Sequence, residues 1–509
     1  MENFASTLDH QAEHRPDKVV LTYGARTLTN TDLHERVNAL AAGLRDLGVR
    51  RGDIVGMLLY NCPEFLELVY AVNRLGAAFL PLNYRLAPAE WEYILANSEA
   101  KVLVADPEFT AALDGLRLPA LRARLTTAAE APAAPWLRYE ELVTAHRGAR
   151  VPVADVAGED LQRLMYTSGT TSRPKGVCIS HRNLAWKNLG LMVQFGLTDQ
   201  EITAVAGPLY HVGALDMGGL ATLHAGGSLV LQRKFDAAGL LDLVEQHRAT
   251  SVWLAPAMVN AVLQLPDDLA RKDVASIRLI LSGGEKMPEA RLRQVLERFP
   301  GVWFADAYGL TETVSSDTFV PYAHMRDKLG SVGRPLPHNQ VRVADDHGEP
   351  VPAGTIGEIL VRGPKVFSGY WRDDETNKKS FVNGWFRTGD MGRLDDDGFL
   401  YIEDRKKDMI VSGGENIATP EIERVLYEHE DVVEAAVIGR PDERWGEVPH
   451  AFLVLRAGAT LTAADVAAFC AGRLAKFKVP KHVTLIEELP RTPSGKVLKR
   501  QLRRIEDQA

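Results

Sequence analysis

Residues 166–176 read YTSGTTSRPKG, and five of them, Thr167, Ser168, Thr170, Thr171 and Ser172, carry an aliphatic hydroxyl. Gly169 lets the backbone turn tightly and Lys175 adds a positive charge. Hydroxyls, free backbone N–H groups and a lysine together make a cradle for oxyanions, phosphate above all. The same composition also suits a solvated surface loop. It is not the Walker phosphate loop. Pro174 precedes Lys175 where that motif needs glycine, and Gly176 follows where it needs a hydroxyl for magnesium. Four more stretches could do chemistry. AYGLTE sets the Tyr308 ring, Gly309, Thr311 and the Glu312 carboxylate side by side, a set able to stack a base, bond a phosphate and hold Mg²⁺. WFRTGD ends in Asp390, suited to accept from two ribose hydroxyls. DRKKDMIVSGGENI offers Arg405 and the pair Gly413–Gly414, and RTPSGKVLKR carries Lys496 on a Pro/Gly turn.

The elements that must position these groups follow from periodicity. DIVGMLLY, AAFLPLN, GSLVLQ, TSVWLAP and IRLILSGG read as buried strands, alternating with the helical patterns PEFLELVYAVNRLG, AAGLLDLVEQHRA and PEARLRQVLERFP. Short apolar runs followed by helices imply βαβ units and largely parallel sheets. TTAAEAPAAPW is an Ala/Pro-rich surface connection. After about residue 340, HNQVRVADDHGEPVPAGTIGEILVRG turns to alternation and hairpin spacing, a small antiparallel unit. The last ~100 residues read as a separate α+β domain, with helices at TPEIERVLYEHE and TAADVAAFCAGRL and strands at VVEAAVIG, HAFLVLR and HVTLIEEL. The charged strip DRKKD joining the two parts reads as a hinge or as a solvated charge run.

The totals bound the function. At 509 residues the chain implies roughly three domains or subdomains. Apolar content of 46% and charged content of 25% are globular, and a net charge of −8 argues against a nucleic-acid partner. Cys62, Cys178 and Cys470 match no disulfide or metal spacing, which fits a reducing cytoplasm. The first residues have no apolar core of a signal peptide, and no window approaches the ~20 apolar residues of a membrane span.

In this order, the five stretches resemble the adenylate-forming superfamily of acyl-CoA synthetases, peptide-synthetase adenylation domains and luciferases, over nearly the whole chain. The resemblance implies an α/β fold. A large N-terminal domain (1–404) would have two βα-layered parallel or mixed sheets and a small β-barrel-like subdomain. A small mobile α+β domain (405–509) would follow, hinged near Lys407. It implies ATP-dependent activation of a carboxylic acid, aromatic or medium-chain, to acyl-AMP with release of pyrophosphate. Transfer to CoA follows, with ATP, Mg²⁺ and CoA as cofactors. Thr167, Ser168, Gly169, Thr170, Thr171 and Lys175 would hold the β- and γ-phosphates. Gly283, Gly284, Glu285, Asp306, Ala307, Tyr308 and Gly309 would line the nucleotide site, with Tyr308 against adenine. Thr311 would touch the α-phosphate, Glu312 would bind Mg²⁺, Asp390 and Arg405 would hold the ribose, and Lys496 would bridge the two reacting anions. The physics agrees, because like charges at ~4 Å repel by about 4 kcal/mol at an effective dielectric near 20. A lysine between them offsets that repulsion.

For the second half-reaction the resemblance assigns Gly413 and Gly414 to one wall of a pantetheine tunnel, and Trp445, Phe477, Lys478 and Lys481 to the CoA nucleotide. The last three suit a solvated amphipathic turn equally well. His211 would gate an acyl pocket lined by Val212, Gly213, Met217, Ser282, Gly309 and Thr313, or else be a core histidine. Asp216 would meet a polar group of the substrate or sit in solvent. Ser172 stands for the commonest glycine of the phosphate loop, and Asp306 for the usual asparagine. The tyrosine that often follows Ile417 is absent. Two rivals keep adenylation and change the acceptor to a carrier-protein thiol or an amine, including activation of another oxyanion such as nitrite. A third is a catalytically silent nucleotide-binding scaffold. The expected partners are the acid, ATP and CoA, with a homodimer left open, no membrane span, and a protein lysine acetyltransferase acting on Lys496.

Overall fold

The computed structural model describes residues 3–130, 134–167, 174–266, 272–284, 287, 289–406, 408–412, 415–442, 444–471, 473–491 and 497–506. It divides into two compact units. The first is Met1–Val341 with Val361–Phe386, and the second is Arg342–Leu360 with Arg387–Ala509. The division passes through the strands Gly357–Arg362 and Trp385–Leu394.

Within the first unit two sheets form, as the alternation of apolar runs and helical patterns requires. Among the described residues one sheet runs Arg334–Pro335, Thr318–Phe319, Trp303–Tyr308, Leu279–Gly283, Ser251–Leu254, Ile202–Val205, Ser228–Leu231, Val19–Tyr23, Arg26–Thr29. Its inner neighbours are parallel and its two edges antiparallel. The other runs Gly369–Tyr370, Lys175–Ser180, Leu161–Thr167, Ala78–Pro81, Ile54–Leu58, Val102–Ala105, Ala123–Thr126, Trp136–Arg138. Here too the interior is parallel, while Leu161–Thr167 and Lys175–Ser180 form an antiparallel pair. Strands such as Ile54–Leu58 and Val102–Ala105 are buried at every position, the near-continuous apolar pattern of a sheet covered on both faces. The covering helix Pro63–Arg74 starts with proline in its first turn, where a missing N–H is harmless.

The helical patterns read from sequence all form, as Pro63–Arg74, Ala237–His247 and Glu289–Arg298. Not foreseen was the segment Gly213–Leu220, an eight-residue π-helix with every residue buried. Its i→i+5 bonding has no sequence period distinct from an apolar loop, and such turns cluster at functional sites.

In the second unit, Val432–Asp442 and Gly446–Leu455 pair antiparallel along their length. These strands of eleven and ten residues extend the shorter runs VVEAAVIG and HAFLVLR to Asp442 and back to Gly446. His482–Leu485 adds in parallel, and helices Thr419–Leu426 and Ala463–Cys470 pack beside the sheet over Ile422, Val425, Val466 and Cys470. The α/β reading with a small α+β C-terminal part holds. Among the described residues no helix is long and apolar enough to cross a membrane.

Candidate active site

The phosphate-loop stretch is carried by the hairpin of Leu161–Thr167 and Lys175–Ser180, which sets Thr167 directly opposite Lys175. Ser168, Gly169, Thr170, Thr171 and Ser172 lie outside the described residues. Lys175 Nζ donates to Thr376 Oγ1 at 3.1 Å and stands 5.3 Å from the centre of the Tyr370 ring. The Tyr370 hydroxyl donates to Glu312 Oε1 at 2.9 Å. Residues 175 and 312, from separate motifs, therefore meet on one aromatic side chain that the sequence reading did not name. Burial, reinforced by the neighbouring Glu312 carboxylate, pushes the Tyr370 phenol well above its ordinary range, so it remains a donor.

Glu312 sits in the short 3-10 turn Thr311–Thr313, and the backbone that follows is unusual. Val314, Ser315 and Ser316 all have positive φ, 53°, 61° and 63°. Left-handed backbone costs an L-residue roughly 1–2 kcal/mol, so three in succession need outside support. Gly309 makes room for the turn, since a Cβ there would lie 2.4 Å from the Ser316 nitrogen. Lys365 then holds it, donating to Thr313 O at 2.7 Å, Ser315 O at 2.7 Å and Asp317 Oδ1 at 2.6 Å. Thr313, expected in the acyl pocket, is fully buried and bonds through its hydroxyl to Asp317, while Leu310 N–H donates to the same oxygen at 3.1 Å. Its side chain serves the turn.

At the carboxyl ends of the parallel strands, register sorts the expected site residues by face. Gly283 lies opposite Ala307, and Ser282 opposite Asp306. Trp253 is in register with Leu281, one residue before Ser282. Because side chains alternate, Trp253, Leu281, Gly283 and Ala307 share one face, and Ser282 and Asp306 share the other. A Cβ on Gly283 would meet the Ala307 carbonyl oxygen at 2.6 Å, so only glycine fits. Gly284 has φ +100°, and Glu285 lies outside the described residues. Tyr308 ends its strand, buried, and its carbonyl accepts from Asp317 N–H at 2.6 Å. Ser282 Oγ is buried with no hydrogen-bond partner among the described residues.

The π-helix lies on the Trp253 face. A Cβ placed on Gly207 or Gly213 would approach the Trp253 indole to 2.6 or 2.3 Å, so both glycines lie flat on that ring. His211 stacks on the same indole with ring centres 6.1 Å apart, and its Nδ1 accepts from Gly213 N–H at 3.1 Å. Met217 packs in the same apolar cluster as Trp253. Val212 belongs instead to the cluster of Met165, Val314 and Phe367, which ties the His211 segment to the left-handed turn.

Asp216 neither reaches solvent nor waits for a substrate group. It is fully buried, paired with Arg163 at 2.6 Å and Lys187 at 3.3 Å, both also fully buried. Lys187 Nζ further donates to the Asp216 carbonyl at 2.7 Å. Two cations face one anion, and burial lowers the Lys187 pKa to about 8. Since the unfolded lysine titrates near 10.5, the unfolded chain binds more protons between those values, and stability rises with pH there. The gain is at most about 1.4 kcal/mol per pH unit. Melting temperatures of the wild type relative to Lys187→Met should therefore climb from pH 8 to 10.5. A constant difference would mean that Lys187 does not change protonation.

In the second unit, Asp390 and Arg405 come together as directly opposed residues of an antiparallel pair, Arg405 Nε 3.5 Å from Asp390 Oδ1. Asp390 N–H donates to Thr388 Oγ1 at 3.1 Å. Trp445 is exposed, with Arg444 and Lys481 over its ring at 4.8 and 5.4 Å. Phe477 is exposed on the 3-10 turn Lys476–Lys478, and Lys478 is bound by both oxygens of Glu421 at 2.8 and 2.7 Å. A half-exposed pair of this kind contributes little and can exchange for a phosphate. Lys407, Gly413, Gly414 and Lys496 lie outside the described residues.

The cofactors implied by the resemblance can be tested against the side chains. Glu312 is a hard oxygen donor beside a cationic hairpin, suited to Mg²⁺ held between a carboxylate and phosphates. Among the described residues no group of three His, Cys, Asp or Glu could hold a metal alone.

Residues 8–371 match the AMP-binding enzyme family and residues 421–496 the AMP-binding enzyme C-terminal domain. Indoleacetate–CoA ligase of Aromatoleum aromaticum is 40% identical over 499 residues, 98% of this chain and 97% of that protein. Feruloyl-CoA synthase of an Amycolatopsis species is also 40% identical, over 97% of each chain. The o-succinylbenzoate CoA synthetase of Bacillus subtilis, solved with its acyl-adenylate intermediate, superposes with a TM-score of 0.86 at 32% identity, covering 98% of this chain and 97% of that one. The same synthetase has been solved with ATP and a magnesium ion. Matched along both domains, the chain belongs to the AMP-binding enzyme family, within the adenylate-forming superfamily of acyl-CoA ligases.

Proposed function

We propose that an aromatic carboxylic acid is the substrate of this ATP-dependent, AMP-forming acid–CoA ligase. The observation that carries the site assignment is the meeting of Lys175 and Glu312 on Tyr370. Mg²⁺, when bound, neutralises phosphate charge, and Glu312 would hold it. Thr167 and Lys175 bind the β- and γ-phosphates, Tyr308 lies against adenine, Thr311 touches the α-phosphate, and Asp390 with Arg405 fixes the ribose. Lys496 sits between the acid's carboxylate and the α-phosphate. A carboxylate oxygen bonds to the α-phosphorus as the bond to pyrophosphate breaks. The CoA sulfur, its proton lost, then attacks the acyl carbon and AMP leaves.

The aromatic preference is supported by the flat aromatic pair behind the His211 segment, the Trp253 indole with His211 stacked on it and Gly207 and Gly213 against it. A flat ring pair of this kind favours stacking by an aromatic substrate. The relatives that resemble this chain act, by their names, on indoleacetate and ferulate. Pyrophosphate release should be measured across aromatic acids, aliphatic acids and nitrite, with CoA or with amines. Aromatic acids with CoA should give thioester; release confined to aliphatic acids, or turnover only with amines, would refute the assignment.

Gly414→Leu is expected to leave acyl-AMP formation intact and to abolish thioester formation, by narrowing the path for pantetheine. Quenched-flow measurement of the two half-reactions checks this. Unchanged thioester turnover would mean that the acceptor does not pass Gly414. The functional division at Lys407, a homodimeric assembly and a cytoplasmic location belong to the same proposal; free, widely spaced Cys62, Cys178 and Cys470 support the last.

A further inference from the structure

The segment 365–370, KVFSGY, touches the Glu312 turn at four places. Lys365 Nζ donates to the carbonyls of Thr313 and Ser315, Phe367 N–H donates to the Glu312 carbonyl at 2.7 Å, and the Tyr370 hydroxyl donates to the Glu312 carboxylate. The backbone at Glu312 and just after it is thus gripped, and so is the carboxylate. Lys365 is buried, and its charge is met by Asp317, itself buried and bonded by Thr313 and Asn339. Burial pulls the Lys365 pKa down while Asp317 pulls it up. A lysine in this position is not surface decoration. Its two carbonyl acceptors flank Val314, the first of three left-handed residues. That left-handed backbone follows directly on the turn that carries Glu312.

We propose that Lys365 is a positioning residue for the metal carboxylate: it holds the left-handed turn at 314–316 and thereby aims Glu312 at the magnesium bound with ATP. This rests on the assignment of Glu312 as the metal carboxylate. It predicts that the clamp acts on metal affinity and not on the thiol step, which uses no metal-bound phosphate chain. Groups that orient a metal ligand are worth about 10-fold or more in metal affinity.

The test uses the full chain with Mn²⁺ and a non-hydrolysable ATP analogue, reading bound Mn²⁺ by electron spin resonance. Hydrogen exchange of amides 311–317 in the free protein is the second readout. Lys365→Met should weaken Mn²⁺ binding about 10-fold and speed exchange in the turn, while thioester formation from supplied acyl-AMP is unchanged. Adding Ser315→Gly, which accepts positive φ without support, should recover part of the affinity. Should Lys365→Met fail to fold, Lys365→Gln keeps two donors without the charge and should show a smaller loss of the same kind. Unchanged Mn²⁺ affinity in either variant, or equal loss of both half-reactions with no recovery by Ser315→Gly, would overturn the proposal. Glu312→Gln separates the two levels: if it leaves Mn²⁺ binding intact, the metal assignment itself is wrong, whatever the exchange rates show.

Discussion

Lys496→Ala should lower acyl-AMP formation by about 10²-fold or more, the scale of one charge contact made in a transition state. The loss should fall on kcat with ATP affinity little changed, because Lys175 and Glu312 remain in place to hold the phosphates. Supplied with preformed acyl-AMP, the variant should still make thioester, since no carboxylate has to be brought to the α-phosphate in that step. Acetylation of the same lysine removes the same charge, and complete modification by a protein lysine acetyltransferase should reproduce the Ala phenotype. Stopped-flow pyrophosphate release and thioester formation, measured separately, decide the matter. If both half-reactions fall together, Lys496 supports the fold of its segment and not the chemistry.

Much of the first unit is legible in sequence because its signals are local. Apolar runs alternating with helical periods mark the parallel strands and covering helices, and the glycines beside Ala307 and Tyr308 occupy places where a side chain would collide. Motif order pairs Asp390 with Arg405, and strand register sets them opposite each other. What escapes is whatever depends on tertiary burial. Lys365 in GPKVFSGY looks like any solvated lysine, and only the packing of a distant turn around it reveals a buried cation. Tyr370 reads as a strand aromatic until Lys175 and Glu312 converge on it. Asp216 is conspicuous in its apolar stretch, yet its partners Arg163 and Lys187 come from a strand and a helix far back in the chain. Trp253 reads as a core strand residue; no one-dimensional pattern shows that Gly207, Gly213 and His211 all lie on its indole. Sorting by face also requires register, since Ser282 and Gly283 are adjacent in sequence and point to opposite sides of the sheet.

Lys407→Pro should fail in the opposite way from Lys496→Ala. A lysine engaged with the nucleotide cannot stay in place while a thiol approaches the acyl carbon from the side that it covers. The proposed solution is a rotation of the C-terminal part about Lys407, two residues after Arg405, between the half-reactions. Each neighbour of that residue makes an ion pair. Lys406 pairs with Asp346 at 2.6 Å, and Asp408 with Arg503 at 3.0 Å, in the helix Lys499–Glu506 that follows the Lys496 segment. The Asp408–Arg503 pair ties the first residue beyond Lys407 to that helix, which the proposed rotation would carry with it. Proline fixes φ near −65° and removes that freedom. Adenylation should persist at much of its normal rate, and the step from acyl-AMP to thioester should become slow. A Lys407→Ala control, which keeps φ free, should restore the second step. If Ala is as slow as Pro, the charge of Lys407 matters and rotation about it does not.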